Sequence, residues 1–501
     1  MAQKQAAKKT DKSMALPSKR SPAGKTAKSR SVLPQALWRK IGANYLLTND
    51  SGHYAWLKEK DFALVTAGKM TERDPLFGEL AAKGFVRNRL DFNDLASKWK
   101  KKNSYLYYGP SLHILVLTLR CNHKCLYCQS AAGGAGAKHT DMTAEIARKS
   151  VDLAFNSPNP AITIEFQGGE PLLNWEVLKS AAAYARKKAK ITGKELQLAL
   201  VSNFSLMNAE KAEFLLRHEV SICTSLDGPR ALHDKNRVCA SGSSYADTVK
   251  WIKYFQARHE KQVPEYRVFK PSALLTVSRY SLRSHKEIVD EYVRLGLEDI
   301  FIRPLAPIGY AKRLWDTIGY DAKDFAAFYF KSLDYILKLN KRGVVIKEKM
   351  AAMMLDKIVN FRDPGYLDAR CPCGAAIGQL AYNYNGDIYT CDEGRMVGWE
   401  GDDLFRIGNV FKDGYKKLMT CPTTKVCVVS SNLEAQPACA RCAYKPYCGV
   451  CPVYNYETQG SLWGNMPAND RCGLFKGIFD ALFTLLRDPG KAAILKKWVA
   501  K

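Results

Sequence analysis

Between residues 113 and 304, short apolar runs alternate with longer stretches whose apolar positions recur every three to four residues. The runs at 113–119, 162–166, 196–201, 220–226, 272–277 and 299–303 are almost continuously hydrophobic. That is the pattern of strands buried on both faces of a parallel sheet. The stretches at 144–155, 175–188, 209–217, 245–258, 285–295 and about 321–340 read as amphipathic helices. Six strand–helix repeats in about 190 residues suit a partial (β/α)6 barrel better than a complete eight-unit one. In such a barrel the chemistry belongs in the loops after the carboxyl ends of the strands.

A smaller pattern precedes this α/β core. Residues 44–48 and 53–57 read as two strands around the turn Asn49-Asp50-Ser51-Gly52, followed by helical patterns at 60–67 and 75–83. This predicts a small α+β N-terminal domain. Beyond about residue 365 the periodicity gives way to a loop-rich segment with many Gly, Pro and Asn. It holds ten of the fifteen cysteines, which predicts a domain organised around metal rather than around an apolar core. Residues 473–485 read as a terminal amphipathic helix. The expected organisation is a basic tail at 1–31, an N-terminal domain at 32–105, the core at 106–345 and the Cys-rich domain at 346–490.

Composition adds three constraints. Of 501 residues, 47% are hydrophobic, enough for a large buried core, yet no apolar stretch is long enough to cross a membrane. No apolar segment follows the basic N-terminus as in a secretory signal, so the expectation is a cytoplasmic protein without a membrane partner. Net charge is +27, of which residues 1–31 supply +8 through nine Lys/Arg and one Asp. That tail reads as disordered and solubilising, and a basic balance alone does not identify nucleic acid as substrate. In a reducing compartment, clustered thiols point to metal or catalysis rather than to disulfides. Cys223 and Cys239 stand apart from the clusters.

Directly after the first strand comes Cys121-x3-Cys125-x2-Cys128. Three thiolates on one loop can hold three irons of a 4Fe–4S cluster and leave the fourth open to a small molecule. The second strand ends in Gln167-Gly168-Gly169-Glu170-Pro171, the third in Ser202-Asn203 and the fourth in Ser225-Leu226-Asp227-Gly228-Pro229. Asp227-Gly228 by itself reads as a tight turn. Taken in this order, the motifs resemble those of the radical S-adenosylmethionine (SAM) superfamily. The resemblance implies that SAM chelates the open iron and that Gln167, Gly168, Gly169, Glu170, Asn203 and Ser225 bind it, with Glu170 pairing with its ammonium.

The second cysteine group contains Cys373, Gly386 and Cys391, then Cys439-x2-Cys442-x5-Cys448-x2-Cys451 and Cys472. It resembles the SPASM domain of radical SAM maturases, which carries two auxiliary 4Fe–4S clusters. The short spacing between Cys448 and Cys451 departs from that pattern. The resemblance implies one auxiliary cluster on Cys371, Cys373, Cys391 and Cys451, and another on Cys439, Cys442, Cys448 and Cys472. Cys421 or Cys427 is an alternative to Cys371, and a zinc ribbon is an alternative at 439–451. Asp392 matches the position of a base beside the auxiliary cluster in anaerobic sulfatase maturases.

Residues 42–87 resemble winged-helix leader-peptide recognition domains, the plainer reading being a cap on the core. The stretches 117–129, 165–174, 224–229, 291–296, 301–304, 382–388 and 442–448 are similar to maturases of the His-Xaa-Ser peptide systems. That family implies three 4Fe–4S clusters, SAM, a reductant such as flavodoxin or ferredoxin, and a ribosomally made precursor peptide that is oxidatively cross-linked. The alternatives are a sulfatase-type maturase oxidising Cys or Ser, and a radical tRNA-modifying enzyme. Against the latter, no recognisable RNA-binding module flanks the barrel.

Overall fold

The structure, a computed structural model, describes residues 36–130, 132–240 and 242–500. The basic tail expected at 1–31 lies outside the described residues. An antiparallel sheet opens the described chain, with strands β1 (Leu37–Ile41), β2 (Asn44–Thr48) and β3 (Tyr54–Lys58) in that order. Helices α1 (Glu59–Thr66), α2 (Phe77–Ala82) and α3 (Phe92–Lys102) follow. Strand β1 was not anticipated, because Arg39 and Lys40 interrupt its apolar alternation. Arg39 instead forms a two-pronged ion pair with Asp480, both bonds at 2.7 Å. The Thr48 hydroxyl donates to the Ala443 carbonyl at 2.6 Å, and the Tyr447 hydroxyl donates to that of Gly52 at 2.9 Å. These contacts seat the small sheet on the Cys-rich segment.

The main sheet begins with β4 (Leu112–Thr118), which runs into three short strands, β5 (Arg120–Cys121), β6 (His123–Cys125) and β7 (Gly133–Gly134). Then α4 (Ala144–Phe155), β8 (Ala161–Gly168), α5 (Trp175–Thr192), β9 (Glu195–Val201), α6 (Ala209–Arg217) and β10 (Val220–Ser225) alternate. After α7 (Arg230–Asn236), β11 (Arg237–Cys239) and α8 (Ser244–Lys261), the alternation resumes with β12 (Ser272–Thr276), α9 (His285–Arg294) and β13 (Asp299–Arg303). Strands β4, β8, β9, β10, β12 and β13 are neighbours in sequence order and all parallel. Their side chains and those of the flanking helices form one large apolar core.

Two single turns, α10 (Tyr310–Arg313) and α11 (Trp315–Ile318), lead to α12 (Ala322–Lys341), edge strand β14 (Lys347–Glu348) and α13 (Lys349–Val359). The Cys-rich segment is less independent of apolar packing than its composition suggests. Its strands β15 (Gln379–Tyr382), β16 (Asp387–Tyr389) and β17 (Arg406–Asn409) extend the main sheet, β15 lying parallel to β4. Ile114 and Val116 of β4 share an apolar cluster with Tyr389, Phe405 and four of the cysteines. Helices α14 (Asp392–Trp399), α15 (Tyr415–Thr420), α16 (Pro422–Ser430), α17 (Pro437–Ala440), α18 (Pro452–Gln459), α19 (Asp470–Leu485) and α20 (Pro489–Trp498) complete the chain. No helix among the described residues is long and apolar enough to cross a membrane.

Candidate functional site

The loop carrying the first three cysteines is built from paired backbone rather than left free. Strand β5 lies parallel to β7, while β6 pairs antiparallel with β11, so that Arg237 stands opposite Cys125 and Cys239 opposite His123. Arg120 anchors the start of the loop: its Nε and Nη2 each donate to Asp141 at 2.7 Å, a geometry suited to a planar guanidinium. Cys121, Cys125 and Cys128 line one cavity with Gln167, Gly168, Gly169, Asn203 and Ser225, residues from the ends of four different strand–loop units. Burial pushes the Cys121 thiol up to about 12 and that of Cys125 to about 11, so metal binding must displace protons there.

The two glycines at the end of β8 sit where no side chain fits. A Cβ on Gly168, whose φ is +147°, would lie 2.1 Å from the Thr118 carbonyl oxygen. One on Gly169 would lie 2.1 Å from that of Arg120. The close approach is held by hydrogen bonds of 2.8 Å from Gly169 N–H to Thr118 and from Glu170 N–H to Arg120. Glu170 itself is fully buried and braces the next loop. It accepts from Ser202 Oγ at 2.8 Å, from Asn203 N–H at 2.8 Å and from Leu172 N–H at 3.0 Å. Both of its carboxylate oxygens are therefore engaged, and it is not among the residues lining the cavity. Its carboxylate positions Ser202 and Asn203. Asn203 extends the network by donating to Asn122 Oδ1 at 3.0 Å, inside the cysteine loop.

Sequence reasoning missed a buried network beneath the loop. Asp227, read above as part of a turn, is fully buried and accepts from Tyr127 Oη at 2.7 Å. The same Tyr127 hydroxyl accepts from Arg237 Nη1 at 2.9 Å. Burial pushes the Asp227 carboxyl up to about 6, opposed by the nearby Arg237 cation. Arg237 Nε, Asp227 Oδ1 and both ring nitrogens of His123 have no hydrogen-bond partner among the described residues. Arg237 also lines the cavity beside the three thiols. A fixed cation there favours added negative charge on a thiolate-held cluster. We expect Arg237→Met to lower the reduction potential of that cluster in an EPR-monitored redox titration. Loss of the cation near buried Asp227 should also lower the midpoint of a denaturant titration.

The remaining cysteines divide into two further groups. Cys439, Cys442, Cys448 and Cys472 line one cavity, and Cys451 reaches its wall as well. Cys373, Cys391 and Cys451 pack together in the apolar cluster under β4, and Cys427 packs with them. Cys371 packs elsewhere, with Leu433, Cys439, Val450 and Met466. Cys421 caps α16, its sulfur accepting from Thr424 N–H at 3.5 Å. Among the described residues no three His, Cys, Asp or Glu side chains close around a single metal ion; the thiols are spread around cavities. In number and chemistry the donors fit iron–sulfur clusters, which span several iron atoms.

Asp392 is buried and paired with Arg395, accepting from its Nε at 3.0 Å and Nη2 at 2.9 Å. Arg395 also donates to Ser130 Oγ at 3.1 Å, close to Cys128 in the chain, and its Nη1 has no partner among the described residues. A cavity lies alongside, lined by Gln129, Arg303, Asp368, Glu393, Cys451 and Arg471 among others. Glu393 opens onto it, whereas Asp392 does not. The cavity joins the end of β13 to the Cys-rich segment, between two of the thiol groups.

The family model of the radical SAM superfamily matches residues 115–261. The chain is 22% identical over 385 residues to the cysteine-type anaerobic sulfatase-maturating enzyme of Clostridium perfringens, covering 75% of this chain and 98% of that protein. Among solved structures, native anSMEcpe with bound AdoMet and peptide aligns with a TM-score of 0.62 at 19% identity, over 77% of this chain and 100% of that one. SuiB of Streptococcus suis bound to precursor peptide SuiA aligns with a TM-score of 0.50 at 14% identity, over 87% and 98% respectively.

Proposed function

We propose that this chain, a radical SAM enzyme with homology to the anaerobic sulfatase-maturating enzymes, modifies a ribosomally made precursor peptide by oxidative cross-linking. The observation that carries this reading is the single cavity shared by Cys121, Cys125 and Cys128 with Gln167, Gly168, Gly169, Asn203 and Ser225. The three thiols would hold a 4Fe–4S cluster with one open iron, which when bound supplies the electron that cleaves SAM. The two glycines let backbone approach the methionine end of SAM closely. Gln167, Asn203 and Ser225 offer it polar side chains, and Glu170 fixes the loop that presents Asn203.

We read residues 106–345 as a partial (β/α)6 barrel and residues 346–490 as a SPASM domain with two auxiliary clusters. The sequential parallel strands and the two further thiol groups support that reading. Asp392 remains our candidate base, with Arg395 holding its carboxylate. A proton acceptor beside an electron acceptor suits a reaction in which hydrogen-atom loss is followed by proton loss. Electrons would come from a reductant such as flavodoxin or ferredoxin.

The unit formed by β1–β3 and α1–α3, docked through Arg39 and Asp480, favours a substrate with a separate recognition segment. The solved structures of anSMEcpe and SuiB with bound peptides support a peptide substrate. The test is co-expression with a candidate precursor peptide, followed by mass spectrometry. Cross-linking removes a pair of hydrogens without other mass change. Conversion of a Cys or Ser in a sulfatase-type sequence to formylglycine, with the precursor peptide unchanged, would replace this reading with the sulfatase-type one.

A further inference from the structure

Fifteen cysteines exceed what three clusters require, and packing sorts those of the last domain into separate apolar clusters. Resting on the auxiliary-cluster reading above, we propose that Cys427, rather than Cys371, supplies the fourth thiolate to the cluster held by Cys373, Cys391 and Cys451. Its sequence position makes Cys427 only one alternative to Cys371: it lies within α16, whose cap is Cys421, 12 residues before Cys439. An isolated buried cysteine is ordinarily a small hydrophobe. This one is not isolated. It is 2% exposed and shares an apolar nest under β4 with the three other thiols.

The surroundings of the nest resemble the second shell of a cluster site. Thr390 Oγ1 donates to Cys391 Sγ at 3.9 Å. Gly394 N–H donates to Cys391 Sγ at 3.3 Å, and Tyr454 N–H to Cys451 Sγ at 3.4 Å. Donors aimed at sulfur are the groups that stabilise and tune iron–sulfur clusters. Ser431 ties α16 to this shell: its Oγ donates to the Cys427 carbonyl at 2.6 Å and accepts from Cys373 N–H at 2.9 Å. The helix carrying Cys427 is thereby fixed to the loop carrying Cys373.

Cys371, only two residues from Cys373, is turned away from the nest. Its sulfur accepts from Leu433 N–H at 3.3 Å and packs beside Cys439, Val450 and Met466. It also lines a different cavity, with Lys102, Lys357 and Lys445. Adjacency in sequence therefore assigns Cys371 to one cluster, whereas packing places it beside the other group.

The test uses the full chain, reconstituted anaerobically with 57Fe, in wild-type form and as Cys427→Ala, Cys427→Ser and Cys371→Ala. Iron and sulfide are assayed, with Mössbauer and EPR spectra of each. Wild-type protein should hold about twelve irons, three clusters of four; a much lower number would overturn the auxiliary-cluster reading itself. With that number in hand, Cys427→Ala should lose one to about four irons, or show the EPR signal of a three-iron cluster. Cys427→Ser should retain a four-iron cluster with altered Mössbauer parameters, because a serine oxygen can replace the thiolate. Cys371→Ala should match wild type in iron and spectra. Wild-type spectra in both Cys427 variants, with iron lost in Cys371→Ala, would overturn the assignment.

Discussion

Cys125→Ala is expected to abolish SAM cleavage and remove about four irons per chain, the content of one 4Fe–4S cluster. Two thiolates cannot hold three irons, and among the described residues no other thiol lies on the wall of this cavity besides Cys121 and Cys128. The variant should still fold, because Cys125 is held by backbone pairing with Arg237 in the β6–β11 ribbon rather than by its sulfur. Far-UV circular dichroism should therefore be unchanged while 5′-deoxyadenosine formation falls to background. Retained cleavage would mean that the thiols of this loop do not hold the cluster that reduces SAM.

Gly169→Ala is expected to damage the same site from the opposite wall. The added methyl would lie 2.1 Å from the Arg120 carbonyl oxygen and 2.6 Å from its carbon, both backbone atoms that cannot rotate away. Either β8 shifts away from the cysteine loop or the loop shifts away from β8. Overpacking of this kind costs about 1–3 kcal/mol. It also breaks the 2.8 Å bonds that Thr118 and Arg120 accept from Gly169 and Glu170. We expect a lower midpoint in thermal denaturation and loss of SAM retention on gel filtration. Gly134→Ala is the control. It lies on β7 in the same loop, but a Cβ there meets nothing within 4 Å, so stability and SAM retention should be unchanged.

The strands of the main sheet were legible because each is buried on both faces and flanked by a helix with a clear polar side. Strand 299–303 agrees residue for residue with β13, and helix 144–155 with α4. The motif residues lay at strand ends, where a parallel α/β sheet concentrates its chemistry, and most of them meet in one cavity. What escaped was set by tertiary pairing. Strand β11 is three residues long and has no period of its own; it exists because β6 lies opposite. Nothing in the sequence singles out Arg237 among 76 Lys and Arg; its burial beside Tyr127 and Asp227 does. The hydrogen bonds by which Glu170 braces the Ser202–Asn203 loop are likewise tertiary contacts that its motif does not express. The cysteines of the last domain were grouped by spacing, whereas the helix that brings Cys427 to Cys373 is a long-range contact that spacing cannot express.

Anaerobic incubation of the iron-reconstituted chain with SAM and dithionite, followed by chromatographic quantification of 5′-deoxyadenosine, tests the central claim most directly. The account predicts reductant-dependent formation of 5′-deoxyadenosine and methionine in equal amounts, increased by a cognate precursor peptide. An iron-replete sample that leaves SAM intact, with and without peptide, would contradict it.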